Sequence, residues 1–263
     1  MQTMPSSLTI TPIPAFEDNY IWCIEDVKSD TFIVVDPGDA HVVIEHAIKI
    51  EKKLSAILVT HHHADHTGGI ADLVNYFGEL PIFGPINSPY SGTTQRVVEG
   101  HTVNVFGSKF KVIEIPGHTL DHIAYHSDEQ GLLFCGDTLF LAGCGRVFEG
   151  TPEQMHHSLS KIMALPGTTK AYPTHEYSLA NLEFAMTVDG NNDALKLAQR
   201  MCKRIRAKNG VTLPTCLAQE SAINPFVRTH DKAVIASAEF YKGQALNSPS
   251  DVFAALRQWK NSF

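Results

Sequence analysis

An α/β protein with a smaller C-terminal helical domain is what this sequence predicts, from three observations. In the first two-thirds, short apolar runs end in turn residues and alternate with helical patterns. After about Leu179 that punctuation gives way to long helical periodicities. The composition, 43% hydrophobic and 19% charged over 263 residues, suits a buried core and argues against disorder or a fibrous architecture.

The elements follow in order. Residues 33–35 run into Asp36-Pro37-Gly38, and 54–59 into Thr60-His61. A helix is expected over 70–77. Residues 110–115, alternating in polarity, run into Pro116-Gly117-His118. Residues 132–135 lead to Gly136-Asp137, and 170–172 to Pro173-Thr174-His175. Between the last two, Thr151-Pro152-Glu153-Gln154 combines a cap, a proline at the first helical position and a capping-box glutamine. Met155, Leu159, Ile162 and Met163 follow at helical spacing. Over 193–208, Ala194, Ala198, Met201 and Ile205 fall on one face, cations gather near the carboxyl end, and Gly210 can end the helix. A last helix begins at Ser248-Pro249 and turns Val252, Phe253, Leu256 and Trp259 inward. These patterns divide the chain into a mixed domain, 1–178, and a helical one, 179–263, with no low-complexity linker between them and no repeat of fixed period.

A net charge of −7 argues against nucleic acid as a partner, because phosphate backbones are bound by neutralising them. A small anionic molecule stays possible where cations gather locally. No basic segment followed by an apolar stretch opens the chain, and no uncharged run is long enough to span a membrane, so a cytoplasmic protein without a membrane partner is expected. Five cysteines without CxxC spacing fit reduced, buried thiols. The composition's oddity is its 14 histidines, which matter because they cluster at metal-ligand spacing.

The segment His61-His62-His63-Ala64-Asp65-His66 follows a buried apolar strand. Residues two apart in an extended turn project to one side, so His61 and His63 can grip one ion while Asp65 and His66 turn toward a second. His62 should point away and serve the structure. Imidazoles with carboxylates suit hydrolytic or oxygen chemistry rather than a closed structural zinc site, which favours thiolates. His118, Asp137 and His175 each sit just past a predicted strand, and a parallel arrangement would bring all these loops to one rim. Seven ligands exceed one ion's need. Two ions fit the count: His61, His63 and His118 on one, Asp65, His66 and His175 on the other, with Asp137 bridging.

These residues carry the HxHxDH signature of the metallo-β-lactamase superfamily. Further pieces are similar to the glyoxalase II, or hydroxyacylglutathione hydrolase, family: Asp18-Asn19-Tyr20, Pro116-Gly117-His118-Thr119, Gly136-Asp137-Thr138-Leu139-Phe140, Gly143-Cys144-Gly145-Arg146, His175-Glu176-Tyr177 and Asn224-Pro225-Phe226. The resemblance spans nearly the whole chain. It implies an αββα sandwich, a helical second domain that binds substrate, and hydrolysis of S-D-lactoylglutathione to D-lactate and glutathione, the second step of methylglyoxal detoxification. By position it assigns substrate binding to Arg146, Tyr177, Arg257 and Lys260, and it places Phe148 where relatives often have a tyrosine, one hydroxyl short. Without the resemblance, Arg257 and Lys260 read as a solvated helix face.

The expected cofactors are two divalent ions, zinc first, with iron or manganese acceptable to the same ligands. The expected nucleophile is a hydroxide bridging them, with Asp65 and Asp137 the carboxylates nearest the chemistry. A monomer acting on a small glutathione thioester is anticipated. The rival readings are a mononuclear-iron persulfide dioxygenase, a β-lactamase or nuclease of the same superfamily, and a catalytically silent metal-binding module.

Overall fold

The computed structural model describes residues 8–263, so the reading of the chain's first residues as free of an export signal lies outside the described part. The chain divides into two compact units. The first comprises the described residues up to Glu114 together with Asp121–Gly136. It contains β1 (Leu8–Ala15), β2 (Asn19–Asp26), β3 (Thr31–Val35), α1 (Ala40–Ile50), β4 (Lys53–Leu58), α2 (Ala64–Thr67), α3 (Ile70–Phe77), β5 (Ile82–Pro85), β6 (Gln95–Val97), β7 (Thr102–Val105), β8 (Ser108–Glu114), β9 (Ile123–Ser127) and β10 (Leu132–Gly136).

Strands β1 to β6 lie side by side in sequence order. The first three are antiparallel, and β3 to β6 run parallel. The central strands are apolar over residues 32–35 of β3 and 56–58 of β4, because both of their faces are covered there. One parity, including Ile21, Cys23, Phe32, Val34, Ile57 and Val59, packs with Val43, Ala47, Ile70 and Leu73 of α1 and α3. The other parity, Tyr20, Trp22, Ile24, Ile33, Val35 and Leu58, is buried as well. There β9 contributes Tyr125, whose hydroxyl donates to the carbonyls of Val59 (3.0 Å) and Phe83 (3.2 Å). Helices, sheet and second sheet thus form three layers of this unit. Each fully buried Val, Leu, Ile or Phe contributes roughly 1.5–3 kcal/mol.

The second set of strands, in the order β10-β9-β8-β7, is antiparallel throughout. The expectation of parallel strands therefore holds for β3 to β6 and fails for β8 and β10. Their ends nevertheless share an edge, since both run opposite to β9. The β9 start also meets that edge: Ile123 pairs with Glu114, and its amide donates to the Thr60 carbonyl just past β4 (2.9 Å).

The second unit comprises Ile115–Leu120 and Asp137–Phe263. It holds β11 (Leu139–Phe140), β12 (Gly143–Cys144), α4 (Pro152–Met163), β13 (Lys170–Pro173), α5 (Ser178–Val188), α6 (Asp193–Arg206), β14 (Thr215–Cys216), α7 (Leu217–Ile223), α8 (Lys232–Lys242) and α9 (Pro249–Asn261). The capping box of α4 forms as the sequence predicts, Thr151 Oγ1 accepting from the Gln154 amide (3.2 Å) and Gln154 Oε1 from the Thr151 amide (2.9 Å). Such a cap is worth about 1 kcal/mol. In α6 the buried stripe is Leu195 and Cys202, one residue round from the expected face, and Met201 is 53% exposed. Adjacent stripes of an amphipathic helix share the same period, and Leu195 settles which of them faces in. Gly210 closes the helix end through its amide to the Ile205 carbonyl (3.0 Å).

Packing divides the chain elsewhere than near residue 178. Segment 115–120 joins the second unit because α4 and residues 148–150 hold it. Ser158 Oγ donates to Pro116 O (2.7 Å), the Phe148 amide to His118 O (3.2 Å), the Gly150 amide to Gly117 O (3.1 Å), and Glu149 Oε2 accepts from the Leu120 amide (2.8 Å). Among the described residues no helix is long and apolar enough to cross a membrane.

Candidate metal centre

In the first unit the chain leaves β4 in extended form, reverses through α2, and carries His61, His63, Asp65 and His66 within six residues. His61 Nε2 faces His63 Nδ1 at 3.2 Å, and the His61 and His66 rings lie 4.0 Å apart by their centroids. His66 Nε2 stands 3.4 Å from Asp65 Oδ2, which also accepts from Asn19 Nδ2 (3.1 Å). Two glycines permit this packing. A side chain at Gly38 would run into the backbone of Asp65, and one at Gly69 into the backbone at Asp39 and Ala40.

The far side of each ring decides which nitrogen carries the lone pair. Asp36, 2% exposed and at φ 54°, accepts from the Thr60 amide (2.7 Å), from Thr60 Oγ1 (2.7 Å) and from His66 Nδ1 (3.0 Å). A proton on His66 Nδ1 leaves a lone pair on Nε2. Thr60 Oγ1, already donating to Asp36, accepts from His61 Nδ1 (3.0 Å), which likewise puts the lone pair of His61 on Nε2. His62 points elsewhere, its Nδ1 paired with Asp121 Oδ1 at 2.8 Å, in keeping with a structural role.

In the second unit His118, Asp137 and His175 converge. Asp137 Oδ2 lies 3.5 Å from His118 Nε2 and 3.3 Å from His175 Nε2. His118 Nδ1 donates to the Arg146 carbonyl (2.8 Å), again fixing the tautomer that offers Nε2. Gly145 is required here because a side chain would strike the Asp137 carbonyl. The His175 ring stacks on Tyr177, centroids 4.7 Å apart and planes 3° apart, with the edge of Phe140 against both. Each unit thus gathers its own share of the candidate ligands, His61, His63, Asp65 and His66 in the first and His118, Asp137 and His175 in the second. Imidazole nitrogens and carboxylates, with no thiolate among them, fit a divalent ion with an open position.

Around the second half lie the residues assigned to substrate. Arg146 and Phe148 are exposed, Phe148 with its ring edge-on to His118 (5.2 Å), and Tyr177 is partly exposed. Arg257 is buried. Its Nη1 donates to the carbonyls of Cys144 (2.8 Å) and Gly145 (3.4 Å), its Nε to Asn261 Oδ1 (3.0 Å), and its guanidinium covers the Phe226 ring. Lys260 Nζ donates to Ala180 O (3.0 Å) and lies over Phe184 and Phe263. Burial, then the charges of Arg257 and Arg146, hold the Lys260 pKa below the usual lysine value, against the pull of Glu183. Three cations near enough to repel one another make a local anion-attracting field in an acidic chain.

The loop that presents Arg146 is held from behind. Asn224 Nδ2 donates to the carbonyls of Phe140 (3.3 Å) and Gly143 (2.9 Å), and Glu220, itself unexposed, accepts from Ala142 N (2.9 Å), Asn224 Nδ2 (2.9 Å) and Thr215 Oγ1. Asp36, Thr60, Asn19 and Glu220 are the site residues that sequence reading missed. Asp36-Pro37-Gly38 carries a turn signal strong enough to mask its carboxylate, and only the strand-exit position shared with the ligands could have marked it.

The metallo-beta-lactamase superfamily profile matches residues 17–175, and that of the hydroxyacylglutathione hydrolase C-terminus matches 176–263. The hydroxyacylglutathione hydrolase of Pseudomonas aeruginosa (strain LESB58) is 47% identical over 97% of this chain and 100% of its own length. That of Vibrio parahaemolyticus serotype O3:K6 (strain RIMD 2210633) is 49% identical over the same shares. Among solved structures, ETHE1 from Myxococcus xanthus matches with a TM-score of 0.64 at 24% identity, over 97% of this chain and 98% of that one. The BLEG-1 B3 metallo-beta-lactamase gives 0.62 at 20% identity, over 84% and 99%. At those identities the structures speak to the fold alone.

Proposed function

The chain belongs to the hydroxyacylglutathione hydrolase family of the metallo-β-lactamase superfamily, and from that premise we propose that it hydrolyses S-D-lactoylglutathione to D-lactate and glutathione on a pair of divalent ions. The observation that carries the reading is likeness to hydroxyacylglutathione hydrolases along the whole chain, through both the ligand-bearing part and the helical part. The family fold is the αββα sandwich with a helical C-terminal region. We keep a boundary near residue 178 as the functional division between metal-binding and substrate-binding domains, which agrees with where the two profiles meet.

In this reading His61, His63 and His118 hold one ion, Asp65, His66 and His175 the other, and Asp137 lies between them. Chain connectivity supports it. The exits of β4, β8 and β10 share one edge of the first unit, Asp137 directly follows Gly136, and His118 lies within the short excursion between Glu114 and Asp121. When bound, the metal pair lowers the pKa of water from about 15.7 toward 7 and polarises the thioester carbonyl. The chain's own part is orientation. Asp36, Thr60 and the Arg146 carbonyl hold three imidazoles in the tautomer that presents Nε2. Arg146, with Lys260 nearby, receives a carboxylate of the glutathione moiety, for which a planar guanidinium is well shaped. Arg257 serves by gripping the Cys144 and Gly145 carbonyls, and so sets where Arg146 stands. Tyr177 and Phe148 flank the leaving thiol with aromatic surface. A thiolate leaves without general-acid help.

Zinc is the expected metal, with iron or manganese able to use the same donors. A cytoplasmic monomer is the expected state. Neither the dioxygenase nor the silent-module reading gains a supporting observation. The test follows thioester absorbance of S-D-lactoylglutathione with the metal-replete chain, then with a chelator, then with zinc restored. Turnover that the chelator abolishes and zinc restores is expected. No turnover by the replete protein would overturn the activity, and full turnover with one metal equivalent would overturn the two-ion site.

A further inference from the structure

On the helix-covered face of the first sheet, Cys23 and Glu25 stand two residues apart on β2 and so project to the same side, opposite His46 of α1. One donor atom from each lies within 4.8 Å of the other two. Cys23 is 0% exposed and packs in the core, and His46 Nε2 is buried without a hydrogen-bond partner. Buried imidazole nitrogens are normally satisfied, so an unmatched one beside a thiol and a carboxylate calls for a ligand. The Lys52 ammonium, 3.1 Å from Glu25 Oε2 and 3.2 Å from Asp26 O, closes the group at its half-buried rim.

We propose that Cys23, Glu25 and His46 form a second cation site, for a thiolate-binding divalent ion of the zinc type, clamping α1 to β2. Tetrahedral donors around zinc stand roughly 3.5 Å apart, a small rotamer adjustment from the present spacing. A thiolate, a carboxylate and a neutral imidazole balance a dication. Lys52 compensates Glu25 in the empty state and swings into solvent when the ion arrives. Burial, then the charge of Glu25, pushes the Cys23 thiol up to about 12, against Lys52. The thiol therefore keeps its proton at neutral pH until an ion displaces it, and loading releases that proton. This site differs in kind from the histidine-aspartate centre, which contains no sulfur ligand.

That difference supplies the experiment. The metal-stripped full chain is titrated with cobalt(II), and a thiolate-to-cobalt charge-transfer band is followed in the near ultraviolet. The band is expected in the wild type and lost in Cys23→Ala, and its midpoint should weaken at least roughly tenfold in His46→Gln. Lys52→Met, freed of the competing ammonium, should bind roughly two- to five-fold more tightly. All three variants should keep thioester hydrolysis. The proposal is overturned if no band appears up to about 1 mM cobalt, far above any useful affinity, or if the band survives in Cys23→Ala. Should that variant fail to fold, a His46→Gln titration matching the wild type would overturn it equally.

Discussion

Replacing Glu220 with glutamine should remove a large pH dependence of stability. Glu220 has no exposure, and its carboxylate accepts from Ala142 N, Asn224 Nδ2 and Thr215 Oγ1. Burial outweighs those three bonds and raises its pKa from the ordinary 4.5 to about 7. Over that interval the folded protein keeps a proton that the unfolded chain releases, so unfolding releases protons and stability falls as pH rises. The contribution is fully present below about pH 4.5 and lost by the time pH passes through about 7. Each pKa unit is about 1.4 kcal/mol, which makes the loss about 3 kcal/mol. Glutamine cannot ionise, yet its carbonyl can serve Ala142 and Asn224 while its amide donates to a rotated Thr215 hydroxyl. Urea unfolding of the metal-stripped wild type and Glu220→Gln, taken from pH 4 to pH 8, isolates this group because the other titrations cancel in the difference. The variant should gain on the wild type by about 3 kcal/mol across the range. Curves that stay parallel to within about 1 kcal/mol would show that Glu220 ionises freely in the fold and that its buried network is misread.

Four further outcomes are expected. Asp36→Asn places an amide against the donors at His66 Nδ1 and Thr60 Oγ1, so metal affinity measured by chelator competition should fall roughly 10- to 100-fold; wild-type affinity would remove Asp36 from the site. Asp137→Ala should lose bound metal by elemental analysis together with activity, and two ions still tightly held would rule out bridging. Phe148→Tyr adds the hydroxyl that the family resemblance implies at this position and should lower KM roughly three- to ten-fold with kcat unchanged; an unaltered KM would place residue 148 away from substrate. Arg257→Met leaves the Cys144 and Gly145 carbonyls without their donor, so a thermal melt should show a loss of about 2 kcal/mol and kinetics a raised KM at unchanged metal content.

The seven candidate ligands stood out in the sequence because they lie in segments that follow apolar runs, and such exits are where sheets present chemistry. The start of the α4 helix was readable to the residue because caps and capping boxes are local. What escaped was long-range. Whether Arg257 faces solvent or reaches back more than a hundred residues to two carbonyls depends on tertiary packing, to which helical spacing is blind. The same holds for α6, where period alone left two neighbouring stripes equally eligible. The antiparallel course of β8 and β10 was hidden because their exits coincide with the edge that parallel strands would have produced.

The backbone passes between its two compact units at 114/115, 120/121 and 136/137. A gene truncated at residue 178 would still encode all seven candidate metal ligands, yet it would lack Arg257, Asn224 and Glu220, the clasps on the 139–146 segment. Recombination at that point exchanges the anchors of the 139–146 segment while leaving the candidate ligand set intact. A chimaera built there should hold its ions and lose its grip on the thioester, so metal content alone is a poor reporter of a working graft.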